Sequence, residues 1–308
     1  MKNISSPFIF LNKRFVKVCR IINLLTVLES IQKSTEYLEK KGIESPRINA
    51  ELLLAGILKC TRIQLYLQYE KPLSDEEIVT YRDFIQRRGR FEPVQYILGS
   101  TEFYGLKFKI NSSVLIPRQE TEILVETILE NANKNETLRI IDIGCGCGCI
   151  GISLLVNLPN SILTALDNLP GALQIATENI GSHKLNDRTE IHNIDLFEEG
   201  WAEKTDKFDL IVSNPPYVSR EEYPELQKEI VLFEPQSAVT DFSDGFTYYR
   251  RICELSRYLL KPGGSVFFEV AINGAEQVKE IMEQYEFKNI DFKKDYLNIN
   301  RVVFGEKA

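Results

Sequence analysis

The first third of the chain carries hydrophobic residues at helical intervals between residues 25 and 89. Helices are predicted in the segments VLESIQKSTEYLEKKGI, NAELLLAGIL and SDEEIVTYRDFIQRR. The third segment begins with Ser74 and Glu77 at capping-box spacing, in which each side chain bonds the backbone amide of the other residue. These patterns predict a small helical domain at residues 23–92.

The spacing then changes to a period of two in the segment EFYGLKFKINSSVLIPR. Here Leu106, Phe108 and Ile110 alternate with polar residues, as is typical of strands. A β-hairpin at residues 93–117 is therefore predicted to link the helical domain to the rest of the chain.

Strand and helix patterns alternate along residues 118–308. Predicted strands have the sequences LRIIDIG, SILTALD, TEIHNI, FDLIVSN and GSVFFEV, and helical patterns separate most of them. This alternation predicts an α/β fold with a doubly wound, mostly parallel sheet. The last two strands, FKNIDFKKD and NRVVFGE, have no helix between them and are predicted to pair antiparallel at one side. Together they predict a seven-stranded, Rossmann-like sheet.

The charge balance of the 308-residue chain limits the classes of partner. Its 37 Lys and Arg residues against 44 Asp and Glu residues give a net charge of -7. Proteins whose main partner is a phosphate backbone usually carry a basic surface, so a small molecule or a protein is the favoured substrate. No run of about 18 apolar residues is present, so no membrane span is predicted.

The first 22 residues differ in composition from the rest, with five basic and no acidic residues. That composition is similar to a transit peptide, but a clear apolar segment with a cleavage site is missing. The favoured interpretation of residues 1–22 is an upstream-start artefact or a flexible basic arm.

Three of the six cysteines, Cys145, Cys147 and Cys149, alternate with glycine in the segment CGCGC. They are too close together to bridge one another comfortably, so a reducing, cytoplasmic compartment is expected rather than a disulfide framework. Zinc sites usually have two to four residues between paired cysteines, so no metal site is predicted here. The cysteines are interpreted as small apolar residues.

A glycine-rich loop follows the first strand of the predicted sheet and opens a helix. Gly144, Gly146 and Gly148 allow a ligand to approach the backbone closely, next to the free N–H groups of the helix start. The spacing of Gly146, Gly148 and Gly151 also satisfies the dinucleotide fingerprint. A dehydrogenase is nevertheless disfavoured, because the carboxylate of Asp142 would face the pyrophosphate.

Aspartates lie at the ends of three successive predicted strands, where open parallel sheets bind ligands. Asp142 is predicted to hold the ammonium group of an amino-acid-bearing ligand, and Asp167 to bind a ribose diol. Asp195 is predicted to receive an adenine amino group, with Leu196 or Phe197 against the ring. Each acid alone also fits a helix cap or a loop residue, but together they favour S-adenosylmethionine.

The segment Asn214-Pro-Pro-Tyr217 ends the fourth predicted strand at the same edge of the sheet. The amide oxygen of Asn214 and the carbonyl of Pro215 are predicted to accept hydrogen bonds from a planar NH2 group, while Tyr217 packs on its face. Methyl transfer depends mainly on such positioning. A rigid turn after a core strand is the alternative interpretation.

The glycine loop and the NPPY segment together resemble the class I methyltransferases that use S-adenosylmethionine and act on planar NH2 groups. Residues 25–305 more closely resemble the protein-(glutamine-N5) methyltransferases of peptide chain release factors. The likeness rests on the segments SPRINAELLLAGIL, QYILGSTEFYG, VLIPRQETEILVE, NPPYV, FEPQSAV, DGFTYYRRI and LKPGGSVFFEV. It implies methyl transfer to the glutamine of a release factor's Gly-Gly-Gln tip by a cytoplasmic, monomeric enzyme whose helical domain grips the factor.

The resemblance also implies roles for individual residues. The cofactor would be held by Asp142, Gly144, Cys145, Gly146, Cys147, Gly148, Asp167, Asp195, Leu196 and Asn214, with Arg118 and Thr121 at the cavity mouth. The glutamine amide would be held by Asn214, Pro215, Pro216 and Tyr217. Two segments depart from the family's pattern, Glu269-Val-Ala271 and Asn298-Ile-Asn-Arg301, and both are expected to lie away from the site.

Two further interpretations remain open. A nucleic-acid methyltransferase acting on the exocyclic amino group of adenine or guanine would use the same NPPY residues, but the net acidity counts against it. A non-catalytic module that binds S-adenosylmethionine would have no reason to retain Asn214 and Tyr217 together.

Overall fold

The computed structural model describes residues 25–133 and 135–308; the basic segment predicted at residues 1–22 lies outside them. The helical region consists of α1 Val27–Lys40, α2 Pro46–Leu58, α3 Arg62–Tyr66, α4 Asp75–Arg88 and α5 Val94–Leu98. The capping box predicted at α4 is confirmed, because Ser74 accepts from the Glu77 amide and Glu77 accepts from the Ser74 amide. Leucines such as Leu38, Leu53 and Leu65 are fully buried between the helices. The same core includes Val94 and Ile97 of α5.

Strands β1 Ser100–Phe103 and β2 Leu106–Lys109 pair antiparallel and form a hairpin inside the predicted range 93–117, whose first residues form helix α5 instead. Phe103 and Phe108 are almost completely buried in the same core as residues of the large sheet. The hairpin therefore packs on the sheet domain.

The large sheet confirms the predicted fold class. Its strands are β3 Arg139–Ile143, β4 Ile162–Asp167, β5 Thr189–Asn193, β6 Phe208–Ser213, β7 Leu260–Glu269, β8 Phe287–Lys294 and β9 Asn300–Lys307. They lie in the order β5-β4-β3-β6-β7-β9-β8. The first five are parallel, whereas β9 is antiparallel to both β7 and β8. The prediction of a final antiparallel pair is thus also confirmed.

Helices cover both faces of this sheet, as the alternating pattern predicts. They are α6 Thr121–Asn131, α7 Cys149–Asn157, α8 Pro170–Ser182, α9 Lys228–Phe233, α10 Gln236–Val239, α11 Thr247–Leu259 and α12 Ala275–Gln284. Adjacent residues of β3 point to opposite faces, so Ile140 and Ile141 belong to two separate hydrophobic cores. In the described part of the chain, no helix has the length and apolar character needed to cross a membrane.

The chain order reverses at β3, which lies between β4 on one side and β6 on the other. At such a switch point the connections leave in opposite directions and open a crevice outside the carboxyl ends of the strands. The glycine loop after β3 and the NPPY segment after β6 both border this crevice.

Arg88, near the end of α4, joins the helical domain to the sheet domain. Its guanidinium donates to the side chain of Asn49 at 2.6 Å and to the backbone carbonyl of Glu92 at 3.1 Å. The third bond reaches Glu229 in α9 and forms an ion pair in which Arg88 is only 3% exposed. Because α9 lies in the connection between β6 and β7, this contact couples the helical domain to the NPPY connection.

Candidate active site

The glycine loop between β3 and α7 has the left-handed backbone that only glycine adopts easily. The φ angles of Gly144, Gly146 and Gly148 are +75°, +55° and +81°. A Cβ atom added to Gly144 or Gly146 would meet no atom within 4 Å, whereas one on Gly148 would approach Ile152 at 3.1 Å. Gly144 and Gly146 therefore expose their backbone to open space beside the crevice.

A cavity at this crevice brings together most of the residues that the sequence predicts for the site. The predicted residues that line it are Arg118, Thr121, Gly144, Cys145, Gly146, Cys147, Asp167, Asp195, Leu196, Asn214, Pro215 and Pro216. Asp142, Gly148 and Tyr217 lie outside this lining. Lining residues for which the sequence predicted no role include Val114, Leu169, Ile194, Tyr248 and Ile252.

Asp142 lies beneath the glycine loop, although the sequence predicts that it faces a ligand. Its carboxylate is fully buried, and one oxygen accepts a hydrogen bond from the Gly151 amide at 3.1 Å. The other oxygen has no hydrogen-bond partner among the described residues. Burial raises the pKa of Asp142 to about 7, against the lowering effect of the Gly151 bond. The observed bond links β3 to the first turn of α7.

Asp167 ends β4 and supports the loop from the cavity side. Its two carboxylate oxygens accept from the amides of Gly146, at 2.9 Å, and Leu169, at 3.0 Å. Burial raises the pKa of Asp167, although these backbone bonds act in the opposite direction. Each oxygen retains acceptor capacity toward the cavity, as a diol-binding carboxylate requires.

Apolar side chains form the wall beyond Asp167. Leu196 is buried in this wall, and Asp195 is exposed with one oxygen accepting from the Phe197 amide at 2.9 Å. Of the two residues predicted to contact a ring, Leu196 lines the cavity. Phe197 instead contacts Tyr248 in a T-shaped arrangement, with ring centroids 5.4 Å apart.

The NPPY segment begins where β6 ends. The hydroxyl of Ser213 donates to the carbonyl of Ile143 at 2.7 Å, which ties the ends of β6 and β3 together. The side-chain nitrogen of Asn214 donates to the hydroxyl oxygen of Thr121 at 3.2 Å. The amide oxygen of Asn214 is consequently available as an acceptor beside the cavity.

Tyr217 directs its hydroxyl away from the cavity and toward β7. The hydroxyl donates to a carboxylate oxygen of Glu269 at 3.4 Å. Burial, followed by the nearby Glu269 carboxylate, raises the pKa of Tyr217, so the phenol stays protonated. The ring therefore acts as a packing surface rather than as a base.

Glu269 contacts the predicted site residue Tyr217, so the expectation that the segment from Glu269 to Ala271 lies away from the site is wrong. The residue ends β7 next to β6 and is only 2% exposed. Burial raises its pKa to about 7, although the Thr121 hydroxyl, the Arg301 guanidinium and Tyr217 lower it. The sequence pattern did not reveal this contact, because Glu269 reads as one more residue of an apolar strand.

Glu234 is a second residue whose role the sequence did not indicate. It follows α9 in the segment FEPQSAV, and one carboxylate oxygen pairs with the Arg118 guanidinium at 2.5 Å. The other oxygen accepts from the Ile116 amide at 3.2 Å. Glu234 thus fixes the strand-to-helix connection that carries Arg118 to the cavity.

The cysteines of the loop contribute buried thiols. Cys145, Cys147 and Cys149 are each less than 10% exposed, and burial raises the pKa of the Cys145 thiol. Within the described ranges, 25–133 and 135–308, no group of His, Cys, Asp and Glu side chains is arranged to hold a metal ion.

Two family models match the chain. One described as the PrmC N-terminal domain matches residues 29–99, and one described as the methyltransferase small domain matches residues 118–236. A relative from Fusobacterium nucleatum, named release factor glutamine methyltransferase, is 38% identical over 91% of this chain and 79% of its own length. A relative of the same name from Geobacter sulfurreducens is 37% identical over 91% and 96%.

Solved structures share the fold. The catalytic domain of hMettl16, in complex with an RNA hairpin, superimposes with a TM-score of 0.51 at 16% identity. The match covers 75% of this chain and 80% of that one. At this identity the likeness concerns the α/β sheet architecture alone.

Proposed function

Because the chain belongs to the family of release factor glutamine methyltransferases, we propose that it methylates a peptide chain release factor. The acceptor is the side-chain amide nitrogen (N5) of the glutamine in the Gly-Gly-Gln tip, and the methyl donor is S-adenosylmethionine. The observation that carries the proposal is the anchored amide of Asn214, whose free oxygen lies beside the cavity under the glycine loop.

The residues around the cavity fit this cofactor. Gly144 and Gly146 leave open space where any side chain would protrude, so the backbone accommodates the methionine portion. The carboxylate of Asp167 has acceptor capacity for the ribose diol, and Asp195 and Leu196 border an apolar slot for the adenine. Arg118, paired with Glu234, borders the mouth of the cavity.

Asp142 has a different proposed role from the one that the strand-end pattern suggests. Its bond to the Gly151 amide and its complete burial support a role in bracing the loop rather than in holding an ammonium group. Gly148, where an added Cβ atom would approach Ile152 at 3.1 Å, ends the same loop at the start of α7.

The reaction requires a weak nucleophile to be held in place. S-adenosylmethionine supplies a methyl group on a positively charged sulfonium. In the transfer, the glutamine nitrogen would form a bond to the methyl carbon while the carbon–sulfur bond breaks and its electron pair passes to sulfur, and one N–H proton would leave to solvent. The side-chain oxygen of Asn214 and the carbonyl of Pro215 accept the two N–H groups, which orients the nitrogen and stabilises its developing positive charge.

The rest of the molecule serves the delivery of the substrate. Pro216 and the ring of Tyr217 provide the surface against which the planar amide packs. The helical domain, predicted at residues 23–92, binds the body of the release factor, with the hairpin of residues 93–117 linking it to the methyltransferase domain at residues 118–308. We propose that the enzyme is a monomer. We place it in the cytoplasm, because release factors are synthesised and act there.

Mass spectrometry of a release factor incubated with the protein and S-adenosylmethionine tests this function. A methyl-sized gain on the tip glutamine, absent when that glutamine is replaced, is the expected result. Asn214→Ala is expected to retain cofactor binding and to lose turnover, because Asn214 holds the substrate. An unmethylated factor, with cofactor binding intact in a parallel titration, would direct the search to nucleic acid and other proteins.

A further inference from the structure

We propose that Glu269 is a positioning residue for the methyl transfer. Through Thr121 and Tyr217 it fixes the orientation of the Asn214 side chain, so that the amide oxygen, and not the amide nitrogen, faces the glutamine. This inference rests on the proposed function and adds to it a residue that the cavity lining does not include.

The NPPY segment is anchored at both of its ends. At one end the Asn214 nitrogen donates to the Thr121 hydroxyl at 3.2 Å, and at the other the Tyr217 hydroxyl donates to Glu269 at 3.4 Å. The Thr121 hydroxyl also lies close enough to the Glu269 carboxylate to lower its pKa. The two anchors of the segment are therefore neighbours.

The direction of these hydrogen bonds follows from the chemistry of each group. Above about pH 7 the Glu269 carboxylate is ionised and only accepts hydrogen bonds, and its buried second oxygen is the acceptor left open to the Thr121 hydroxyl proton. The Thr121 oxygen then accepts a hydrogen bond from Asn214. Only the amide nitrogen of Asn214 can donate this bond, because the amide oxygen carries no hydrogen. The amide oxygen is left for the substrate NH2 group. An Asn214 side chain turned by 180° would present two donors to a substrate that itself donates.

Glu269 is held firmly enough to serve this purpose. Its backbone carbonyl accepts from the Tyr249 hydroxyl at 2.8 Å, and the next residue, Val270, donates its amide to the carbonyl of Arg301 at 2.9 Å. Its second carboxylate oxygen is buried and has no hydrogen-bond partner among the described residues. A buried carboxylate is costly to retain, which favours a role beyond packing.

Glu269→Gln tests the proposal, because the new NH2 group can donate to Thr121 and so permits the reversed orientation of Asn214. The expected result is a loss in kcat of about 10- to 100-fold on the release factor, with the Kd for S-adenosylmethionine unchanged within about threefold. Asp209→Asn is the matched control: Asp209 lies in β6 at the opposite end, paired with Lys261 of β7. It is expected to keep the wild-type kcat.

Thr121 supplies a second pair of variants, which decides the question if Glu269→Gln fails to fold. Thr121→Ser keeps the hydroxyl that relays the orientation and is expected to retain most of the kcat. Valine has nearly the same shape as threonine but no hydroxyl, so the kcat of Thr121→Val is expected to fall about as strongly as that of Glu269→Gln. Equal kcat values for the serine and valine variants would overturn the proposal.

A readout that does not depend on activity separates this proposal from the proposed function. The two side-chain N–H signals of Asn214 in a nitrogen–proton NMR spectrum, assigned from their absence in Asn214→Ala, are expected to move in Glu269→Gln and to stay in Asp209→Asn. A wild-type protein that methylates no glutamine refutes the proposed function. Unmoved Asn214 signals, or a wild-type kcat in Glu269→Gln, refute the positioning role of Glu269.

Discussion

Glu269 and Asp142 are carboxylates that the fold buries near the carboxyl ends of β7 and β3, two central strands with β6 between them. The sequence indicated Asp142, because it precedes a glycine loop, but not how its side chain points. A strand pattern shows which residues alternate, whereas the bond from Gly151 depends on how α7 packs over β3. Glu269 was missed for the same reason, since its partners Thr121 and Tyr217 are distant in sequence. The glycines, strand-end acids and NPPY residues were predictable because backbone geometry and order along the chain place them.

The raised pKa of Glu269 predicts that stability depends on pH. Its pKa is about 7 in the folded protein and near 4.5 in the unfolded chain, so the unfolded chain loses the proton first as the pH rises. The free energy of unfolding therefore falls between about pH 4.5 and 7, by about 3 kcal/mol from this residue, and levels off above that range.

Urea unfolding at pH 5 and pH 8 measures this dependence. The charge of Arg301 lowers the pKa of Glu269 and the charge of Glu120 raises it, and both residues are retained in Glu269→Gln. The wild type is expected to lose more stability between the two pH values than this variant does. Parallel losses in the two proteins would contradict the assignment.

Gly144→Ala tests the open side of the glycine loop. The substitution adds a methyl group where the cofactor is proposed to lie and strains a φ of +75°. Isothermal titration is expected to show at least about tenfold weaker binding of S-adenosylmethionine, with a stability loss of about 1 kcal/mol.

Gly263→Ala is the control for that strain. Gly263 has a φ of +73° and equally open surroundings, but it lies in the first half of β7, away from the cavity. It is expected to lose similar stability and to bind the cofactor normally. Equal cofactor affinities in the two variants would show that the loop does not border the ligand.

At the scale of elements, periodicity predicted the seven strands and the longer helices of the described chain. The segment between β6 and β7 was less predictable, because α9 and α10 contain six and four residues and are too short to show a period. Their positions depend instead on long-range ion pairs, Arg88 with Glu229 and Arg118 with Glu234. These pairs connect α9 to the helical domain on one side and to the cavity on the other.

Arg88→Met is expected to weaken the coupling between the two domains. Methionine fills the space of the side chain but loses the bonds to Asn49, Glu92 and Glu229. Steady-state kinetics are expected to show a KM for the release factor raised about three- to tenfold, with the Kd for S-adenosylmethionine unchanged. Arg87→Met, which breaks a pair with Glu92 inside the helical domain, is the control. A KM that rises equally in both variants would argue against the coupling.

At the scale of the whole molecule, the cavity is assembled from separate parts of the chain. It draws on the segment before α6 and on the ends of β3, β4, β5 and β6. Topology rules predicted this meeting point from the order of strands alone. The boundaries of the domains remain predictions, since the core shared by the hairpin and the sheet crosses them.

A ligand that contacts all these parts stabilises the folded chain as a unit. At 100 times its Kd, S-adenosylmethionine is expected to add about 2.7 kcal/mol to the free energy of unfolding. Differential scanning calorimetry is expected to show a Tm raised by a few degrees, and a smaller shift at the same concentration for Gly144→Ala. A Tm that does not respond to the ligand would rule out the cavity as its binding site.

The bond from Ser213 to Ile143 joins residues 70 positions apart. Closing so long a loop is a slow step in folding, because the entropy of the intervening chain is lost before the contact forms. On the ribosome, the glycine loop emerges well before β6. The cavity is incomplete until β6 has been synthesised and has paired with β3. A chain that binds the cofactor has therefore been synthesised past the NPPY segment, and its central strands have paired.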